Sequence, residues 1–321
     1  MAEHLATYRV EAMARRIFVI VNPVAGRGRG RRAWTVVAPA LRDAGLRFEE
    51  TFEEKPGQAI PIAEDAARRG YDVIVAVGGD GTVHEVVNGI MRAAVKEQPA
   101  VAIIPGGTGN DFARAMGVPK DSLAAGRLLL SGARRRVDIG QVNERYFVGI
   151  SGVGFDAEVA AKVNRWPKWV GGTTVYIAAI LNMLVAYSLA PTRIFVDGRE
   201  ERLRLFLLAA ANTPWYGGGM FMAPDARADD GKLEVITARD LSKFETLGLL
   251  PKVFSGAHLR HRKVSHQAVR ELRVESDVRL AIHADGEMVG HVPAVFRAVP
   301  GAIEVIVPDA GREAAGARSR P

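Results

Sequence analysis

The sequence predicts two domains: an α/β domain built on a parallel sheet with crossover helices, followed by a mainly antiparallel β-sandwich domain. Over the first 140 residues, short apolar runs alternate with segments of helical periodicity, which is typical of β-α-β units. From about Gln141 onward, short segments of alternating polarity dominate, as in antiparallel sheets. A length of 321 residues, with 48% hydrophobic and 25% charged side chains, is enough for two cores and excludes wholesale disorder.

The first domain is predicted to begin with a buried strand. The run Ile17–Val21 is continuous, β-branched and aromatic, as expected for a strand covered on both faces. Further strands are expected at 48–52, 72–77 and 101–104, and helices through Trp34, Val37 and Leu41, at 58–69 and at 82–94.

The second domain is predicted to be rich in short strands. These are expected at 146–150, 193–197, 202–211, 232–237, 269–275 and 278–283. Asp197 and Gly198, between two such runs, indicate a hairpin. One helix is expected at 174–189, and another begins at Ser242, which forms a capping-box pair with Glu245.

We place the first domain at 15–140, the β-rich domain at 141–290, a closing segment that could return to the first domain at 291–310, and a disordered polar tail at 311–321. Residues 170–192 carry no charge and reach spanning length. Polar residues and glycines dilute them, so a buried helix stopped by Pro191 is the preferred interpretation. The N-terminus lacks the apolar core of a signal peptide, and we expect a soluble protein.

The composition narrows the classes of partner. Basic residues exceed acidic ones by 43 to 36, a net charge of +7, and the isoelectric point is near 9.8. This excess suits nucleic acid, membrane headgroups or phosphorylated ligands. No zinc-finger or RRM-type signature occurs and only 7% of residues are aromatic, so no nucleic acid is expected. The absence of cysteine excludes disulfides, thiolate metal sites and a cysteine nucleophile.

Three glycine-rich turns each follow a predicted buried strand. They are NPVAGRG at 22–28, GGDGT at 78–82 and PGGTGND at 105–111. The carboxyl ends of parallel strands meet at one edge of a sheet, where ligands bind. Glycine lets backbone N–H groups approach a ligand, and a following helix adds its positive end, so these turns suit phosphate. Ordinary turn chemistry is the alternative.

Two carboxylates within these turns indicate a metal. Asp80 and Asp111 would repel phosphate unless a divalent cation lay between them, and Mg²⁺ binds through carboxylates, waters and substrate phosphates. The pattern therefore predicts phosphoryl transfer from a nucleotide. Neither a Walker A motif nor the protein-kinase motifs H-R-D and D-F-G occur.

Several basic clusters have ordinary explanations. A group beside the first turn could neutralise phosphate or form a solvated helix face: Arg27, Arg29, Arg31 and Arg32. Another, most simply a solvated run before a strand, is Arg134, Arg135 and Arg136. Three histidines have interleaved cations and no nearby carboxylate, which favours a basic surface lip over a metal site: His258, His261 and His266.

The motifs together resemble those of the soluble bacterial diacylglycerol kinases, relatives of sphingosine and ceramide kinases and, more remotely, of NAD kinases and phosphofructokinases. The resemblance rests on NPVAGRG, GGDGTVHEVVNG and PGGTGNDFARAMGVP, and continues through VDIG at 137–140, GFD at 154–156, GGG at 217–219, PDARADDGKL at 224–233 and DGE at 285–287. It covers residues 16–308. NAD kinases share only GGDGT, so the PGGTGNDFAR stretch favours the lipid-kinase branch. His84 stands where many bacterial members have asparagine.

The resemblance implies roles for individual residues. The nucleotide-binding positions are matched by Asn22, Pro23, Val24, Ala25, Gly26, Thr51, Gly78, Gly79, Asp80, Gly81, Thr82, Val83, His84 and Thr108. Asp80 and Asp111 match the acidic cluster around the catalytic Mg²⁺, and Glu287 matches the general base. A second, structural Mg²⁺ site is matched by the carboxylate of Asp230, with backbone groups of Arg227 and Lys232 as its neighbours. From the residues alone, 285–287 would be a hairpin turn with a solvated carboxylate.

What the resemblance implies is an ATP-dependent lipid kinase that uses ATP and Mg²⁺, most simply with diacylglycerol as substrate and phosphatidic acid as product. A sphingoid base, ceramide, phosphatidylglycerol and NAD stay open as acceptors. The expected partner is a lipid substrate at an anionic membrane surface, with the enzyme cytoplasmic and peripherally associated. The sequence leaves the oligomeric state open, a homodimer included.

Overall fold

The computed structural model describes residues 14–165, 181–184, 187–196 and 198–309. Contacts divide the chain into two compact units. The first contains the described residues up to Val137 together with those from Ile303 onward, and the second runs from Asp138 to Ala302.

The first unit alternates strands and helices. Its elements are β1 (Ile17–Val21), α1 (Ala25–Asp43), β2 (Phe48–Phe52), α2 (Ala59–Arg68), β3 (Val73–Gly78), α3 (Asp80–Ala93), β4 (Ala100–Pro105), α4 (Asp111–Ala115) and α5 (Ser122–Ser131). The strands lie in the order β2-β1-β3-β4 and are parallel. The predicted parallel α/β fold is confirmed.

Burial explains why these apolar runs form strands. The strands β1, β3 and β4 are buried along their whole length, as expected where helices cover both faces of a parallel sheet. On one face, Val19 and Val75 pack with Trp34 and Val37 of α1. Ile306, near the end of the chain, belongs to the same apolar cluster. The carboxyl ends of β1, β3 and β4 thus carry the three glycine-rich turns on a rigid sheet.

The second unit is mainly antiparallel. Its elements, the first and last of which straddle the unit boundary, are β5 (Ala133–Val142), β6 (Arg145–Phe147), β7 (Ile150–Gly154), α6 (Phe155–Arg165), β8 (Ala190–Val196), β9 (Arg199–Ala211), β10 (Leu233–Arg239), α7 (Lys243–Val253), a 3-10 helix (Ala257–Arg260), β11 (Val264–Val269), β12 (Glu271–Ser276), β13 (Ala281–Ala284), β14 (Glu287–His291) and β15 (Ala294–Val307).

The strand order in this unit is β14-β13-β7-β9-β8-β12-β15, and β10 pairs with β9 and β11. The pairs from β7 through β12 are antiparallel, and the predicted β-sandwich is confirmed. The capping box that begins α7 is present, with Ser242 and Glu245 each accepting a backbone N–H. The β8–β9 hairpin pairs Val196 with Arg199, although Asp197 in its turn lies outside the described residues.

Three predicted segments differ from the structure. Residues 146–150 do not form one strand, because the backbone between β6 and β7 donates its N–H groups to Asp285 instead of to a neighbouring strand. The segment 269–275 is also two strands, since β11 pairs with β10 whereas β12 pairs with β8 and β15. The arginines Arg134 to Arg136 lie within β5 rather than before it, and Arg134 forms an ion pair with Glu304.

Among the described helices, none combines the length and the apolar character needed to span a bilayer. Most of the uncharged stretch 170–192 and the whole of the polar tail 311–321 lie outside the described residues.

Candidate active site

The first glycine-rich turn, directly after β1, is held by Asn22. Its side-chain oxygen accepts the N–H groups of Val24 and Ala25 at 3.2 and 3.0 Å. Its amide nitrogen donates to the hydroxyl of Thr82 at 3.2 Å, in the second turn. The partly buried side chain of Asn22 therefore fixes two of the three predicted nucleotide-binding turns relative to each other.

Arg29 connects the first turn to the third. Its guanidinium donates to the carbonyl oxygen of Gly26 and to the hydroxyl of Thr108, both at 3.1 Å. Of the two interpretations left open for the arginine cluster, this geometry gives Arg29 a position inside the group of turns. Both Arg29 and Arg31 are exposed, but the guanidinium of Arg31 lies over the ring of Phe52 on β2.

The second and third turns touch through their backbones. The N–H groups of Gly106 and Gly107 donate to the carbonyl oxygen of Gly78 at 2.7 and 3.1 Å. A Cβ atom on Gly107 would overlap the Cα atom of Gly79. Glycine is therefore required here by close approach of two turns and not only by the bend within one.

Asp80 lies in the first turn of α3 and not in a loop, because the helix begins two residues earlier than predicted. Gly79 takes an extended backbone (φ −103°, ψ −168°) and serves as the N-cap, and a carboxylate is stabilised by the positive end of a helix. An Asp80 carboxylate oxygen accepts the backbone N–H of Phe112 at 3.0 Å. Asp80 is thereby held beside the residue that follows Asp111.

Asp111 is 3% exposed and accepts a hydrogen bond from the guanidinium of Arg114 at 3.0 Å. With Asp80, it supplies two carboxylates next to turns that present backbone N–H groups. Carboxylate oxygens are hard donors of the kind that Mg²⁺ prefers, so this donor set fits the metal that the sequence indicates.

The remaining predicted nucleotide-binding residues occupy different environments. Thr51 is half-buried on β2, opposite Ile20 of β1. Val83 and His84 are buried within α3, where the Asn88 side chain donates to the His84 carbonyl oxygen at 2.9 Å. Those near the turns, all at least partly accessible, are Pro23, Val24, Ala25, Gly26, Gly81 and Thr108.

A cleft of about 640 Å³ lies beside the third turn in the first unit. Basic side chains line it: Arg29, Arg32, Arg114 and Lys120. A concave site with several cations and a glycine-rich turn favours the binding of a phosphorylated ligand.

In the second unit, Glu287 is the first residue of β14 and is exposed. The turn before it is formed by Asp285 and Gly286, with φ of 50° and 89°, as in a two-residue hairpin. The hairpin and the exposed carboxylate of Glu287 agree with the interpretation from the residues alone, whereas the carboxylate of Asp285 is half-buried and bonded within the chain. It accepts the N–H groups of residues 148, 149 and 150 at 2.8, 2.8 and 3.1 Å, because the strand break there leaves those donors free to point at it.

Three polar residues that the sequence reasoning did not assign support this hairpin, and two of them, Asp156 and His283, are buried. Asp156 accepts a hydrogen bond from the hydroxyl of Tyr216 at 2.6 Å and lies 2.8 Å from Nε2 of His283. Nδ1 of His283 lies 3.2 Å from the backbone N of Gly286. Because Nδ1 accepts that N–H, Nε2 is the ring nitrogen that points its hydrogen at Asp156. The only sequence signal was the GFD motif, which contains Asp156.

The same network forms the polar wall of an apolar cavity of about 70 Å³. Its lining includes Phe155, Phe206 and Leu249, with Asp156 and Tyr216 as polar members. A mostly apolar lining with a few convergent polar groups is typical of a small-molecule site, but such sites have volumes of about 300–1,000 Å³. A cavity of about 70 Å³ therefore has room for only part of an apolar ligand.

Two of the three histidines are not part of a basic lip. His258 is 4% exposed and lines the cavity; burial lowers its pKa, and Nε2 lies 3.0 Å from the carbonyl oxygen of Met222. His266 lies 3.0 Å from a carboxylate oxygen of Glu234, which strand pairing brings near although the sequence does not. Burial raises the pKa of Glu234.

The predicted structural metal site is a turn before β10. The carboxylate of Asp230 accepts the N–H of Lys232 at 3.0 Å, and Arg227 begins the same turn. Asp138 anchors it by accepting the N–H of Gly231 at 2.7 Å. A carboxylate with neighbouring backbone carbonyls is an all-oxygen donor set, which fits Mg²⁺.

Family models and known proteins match this chain over nearly its whole length. Residues 16–142 match the diacylglycerol kinase catalytic domain, and residues 149–307 match the YegS C-terminal NAD kinase beta sandwich-like domain. The diacylglycerol kinase of Staphylococcus carnosus is 32% identical over 298 residues, covering 92% of this chain and 96% of that protein. The diacylglycerol kinase of Bacillus subtilis is 32% identical over 299 residues, covering 92% and 97%.

A solved structure of a related protein has the same fold as this chain. The crystal structure of a diacylglycerol kinase from Bacillus anthracis superimposes with a TM-score of 0.76 at 26% identity, covering 92% of this chain and 98% of that one. The resemblance stated from the motifs is confirmed, and the chain is a kinase. On the combined evidence of its two domains and its relatives, it belongs to the diacylglycerol kinase family.

Proposed function

We propose that this chain is an ATP-dependent lipid kinase that transfers the γ-phosphoryl group of ATP to the hydroxyl of diacylglycerol, giving phosphatidic acid. The observation that carries this proposal is the network in which Asp156, His283 and Gly286 connect an apolar cavity to the hairpin of Glu287. A lipid alcohol has an apolar body and a hydroxyl. Such a substrate matches an apolar cavity whose polar lining residue, Asp156, is linked through His283 to the turn beside Glu287.

The nucleotide is assigned to the three glycine-rich turns. Their backbone N–H groups and the positive end of α3 would hold the phosphates, and the cations of the neighbouring cleft would offset their charge. Arg29 keeps the first and third turns together and so fixes the shape of that site.

Asp80 and Asp111 would hold Mg²⁺, which neutralises phosphate charge during transfer. The contacts that orient these carboxylates come from the chain itself. The Phe112 N–H fixes Asp80, and the Arg114 guanidinium fixes Asp111. Because each carboxylate is held before a ligand arrives, little ordering is left to be done on binding.

Glu287 is assigned as the general base. A hydroxyl is a weak nucleophile, so a carboxylate within hydrogen-bond reach should accept its proton as the phosphoryl group is attacked. Asp285 does not suit this role, since three backbone N–H groups already occupy its carboxylate. The exposed carboxylate two residues later is therefore the better acceptor.

The test is a transfer assay with the purified full chain, labelled ATP and Mg²⁺. Acceptors are micelles of diacylglycerol, a sphingoid base, ceramide or phosphatidylglycerol, together with NAD and a blank without acceptor. We expect phosphatidic acid to form fastest. Faster labelling of another lipid would replace diacylglycerol as the substrate, and labelling of NAD with no lipid product would overturn the lipid-kinase proposal.

A further inference from the structure

The helix α7 has one face packed inside the second unit and an apolar face on its surface. Thr246 and Leu249 are 4% and 7% exposed and line the apolar cavity. On the other side, Phe244 and Leu247 are 87% and 41% exposed, and Phe254, directly after the helix, is 45% exposed. A group of large apolar side chains exposed together is normally covered by a partner, so this face calls for an occupant.

The exposed apolar residues form a continuous strip, which we call the α7 stripe: Phe244, Leu247, Pro251 and Phe254. At 3.6 residues per turn, the three of these within the helix fall within about 60° of one another. Lys243 and Lys252 are exposed and lie on opposite sides of the stripe. An apolar strip between cations is the pattern of a helix that lies in a membrane interface.

A second group of cations is attached to the same helix. Lys263 donates to the carboxylate of Glu245 at 2.7 Å and so ties the segment after the 3-10 helix to α7. Arg260, the last residue of the 3-10 helix, and Arg262, in that segment, are both exposed. Glu245 is the only acidic residue of α7, and its charge is offset by Lys263. The surroundings of the α7 stripe are therefore positive.

We propose that the α7 stripe is the membrane-docking surface of this protein and that its partner is an anionic lipid bilayer. The apolar side chains enter the boundary between headgroups and acyl chains, while the lysines and arginines contact anionic headgroups. The inference deepens the proposed function, on which it rests for the need to reach a lipid. It also puts the inner face of the docking helix directly against the cavity assigned to that lipid.

A second copy of the chain fits this surface less well. Two identical faces brought together would oppose Lys243, Lys252, Arg260 and Arg262 to the same residues of the other copy. Like charges directly opposed destabilise an interface. A net charge of +7 adds to this repulsion, whereas it favours an anionic bilayer.

The experiment measures co-sedimentation of the full chain with phosphatidylcholine vesicles, with and without phosphatidylglycerol. We expect binding to require phosphatidylglycerol and to weaken as salt is raised, since salt screens exposed charges. Phe244→Ser should lower vesicle affinity at least about tenfold, the loss expected for one buried aromatic side chain. Val278→Ser is the matched control, because Val278 is 47% exposed in the same unit but lies away from α7 in sequence. The vesicle affinity of this variant should equal that of the wild type.

A second variant reports insertion directly. Phe244→Trp keeps the stripe apolar, and its indole emission should shift to shorter wavelength when anionic vesicles are added. Wild-type affinity in Phe244→Ser, or no shift in Phe244→Trp, would overturn the proposal. A change from dimer to monomer in Phe244→Ser, with vesicle binding unchanged, would instead make the stripe an interface between copies.

Failure of the docking surface can be separated from failure of the proposed function. A short-chain diacylglycerol that dissolves as single molecules needs no vesicle, so Phe244→Ser should phosphorylate it at the wild-type rate. If the wild-type chain phosphorylates no lipid but still needs Phe244 for vesicle binding, the proposed function fails and the docking surface stands. Loss of activity on the soluble substrate with vesicle binding intact would refute the docking role of Phe244.

Discussion

Asp285 and Glu287 lie two residues apart on one hairpin, yet their surroundings give them different tasks. Asp285 holds the break between β6 and β7, and Glu287 is exposed. We expect Glu287→Gln to reduce turnover by roughly 10²–10⁴-fold while ATP binding is retained, because the amide keeps the shape and cannot accept the proton. Steady-state kinetics and nucleotide titration measure the two effects.

Glu271→Gln is a suitable control for that variant, since Glu271 is an exposed glutamate on β12 that lies 3.6 Å from the guanidinium of Arg297. It should turn over lipid as the wild type does. Near wild-type turnover in Glu287→Gln would remove the base assignment.

His283 positions the hairpin without touching substrate in our assignment. Truncation to His283→Ala removes both the partner of Asp156 and the acceptor of the Gly286 N–H. Asp156 keeps the hydrogen bond from Tyr216, and the loss of one hydrogen bond to a buried carboxylate costs about 1.5–3 kcal/mol. The melting temperature should therefore fall, and kcat should fall while KM for ATP is unchanged.

A conservative variant separates positioning from stability. His283→Asn places an amide oxygen near the position of Nδ1, where it can accept the Gly286 N–H, but its shorter side chain gives up the contact with Asp156. We expect His283→Asn to recover kcat more fully than it recovers thermal stability. Equal losses of both in the alanine and asparagine variants would indicate a purely structural role.

At the scale of elements, the sequence was sufficient to predict strands and helix starts that depend only on residues close together in the chain. The buried strands β1, β3 and β4 follow from continuous apolar runs, and the start of α7 follows from its capping box. The break between β6 and β7 could not be predicted, because it depends on Asp285, which lies far along the chain. The early start of α3 depends on the extended backbone of Gly79, and the spacing of apolar residues does not indicate that conformation.

The capping box of α7 has a pH dependence that follows from Glu245. Its pKa is lowered to about 2, first by the hydrogen bond from Lys263 and then by the bonds from Ser242. A carboxyl whose folded pKa is lowered stabilises the fold above its ordinary pKa, and loses that effect as the pH falls through the folded value.

We therefore expect Glu245→Gln to lower the melting temperature at neutral pH and the difference from wild type to shrink between about pH 4.5 and pH 2. Thermal melts across this range measure it. A difference independent of pH would show that the carboxylate charge is not involved.

The turn at Asp230 offers a test of the proposed structural metal. If it holds Mg²⁺, a chelator should lower the melting temperature of the second unit, and Asp230→Ala should remove the response to chelator. Asp229→Ala is the control at the neighbouring residue. The carboxylate of Asp229 lies 3.4 Å from the guanidinium of Arg227, whereas the N–H of Lys232 donates to Asp230. Identical melts with and without chelator in the wild type would argue against the metal.

For the whole molecule, the two-domain fold and the three turns were predictable, since strand-turn-helix repeats and glycine-rich motifs are local signals. The network of Asp156, Tyr216 and His283 was not, because its members come from separate elements that only the folded chain brings together. The α7 stripe was missed for another reason. Its residues look like an ordinary core helix in the sequence, and only their exposure in the folded chain distinguishes them.

The unit boundary leads to a prediction for the whole chain. Strand β15 ends in the first unit, where Val305 pairs with Val101 of β4 and Ile306 is 1% exposed. A chain ending at Ala302 should lose about 6 kcal/mol or more from the first unit, because four buried aliphatic side chains are removed: Ile303, Val305, Ile306 and Val307. Hydrogen exchange of the β4 amides should accelerate, whereas a chain ending at Asp309 should exchange like the wild type.

Strand β15 also has a consequence for synthesis. The ribosome synthesises the residues up to Val137 well before it reaches Ile303, the residue at which the chain returns to the first unit. At ordinary elongation rates the interval is about 10–30 s. Throughout it, the nascent first unit carries β4 without the segment that pairs with Val101, an unpaired edge of the kind that invites association between chains. The first unit of this protein thus emerges from the ribosome before the second, but residues that are translated after the second unit complete it.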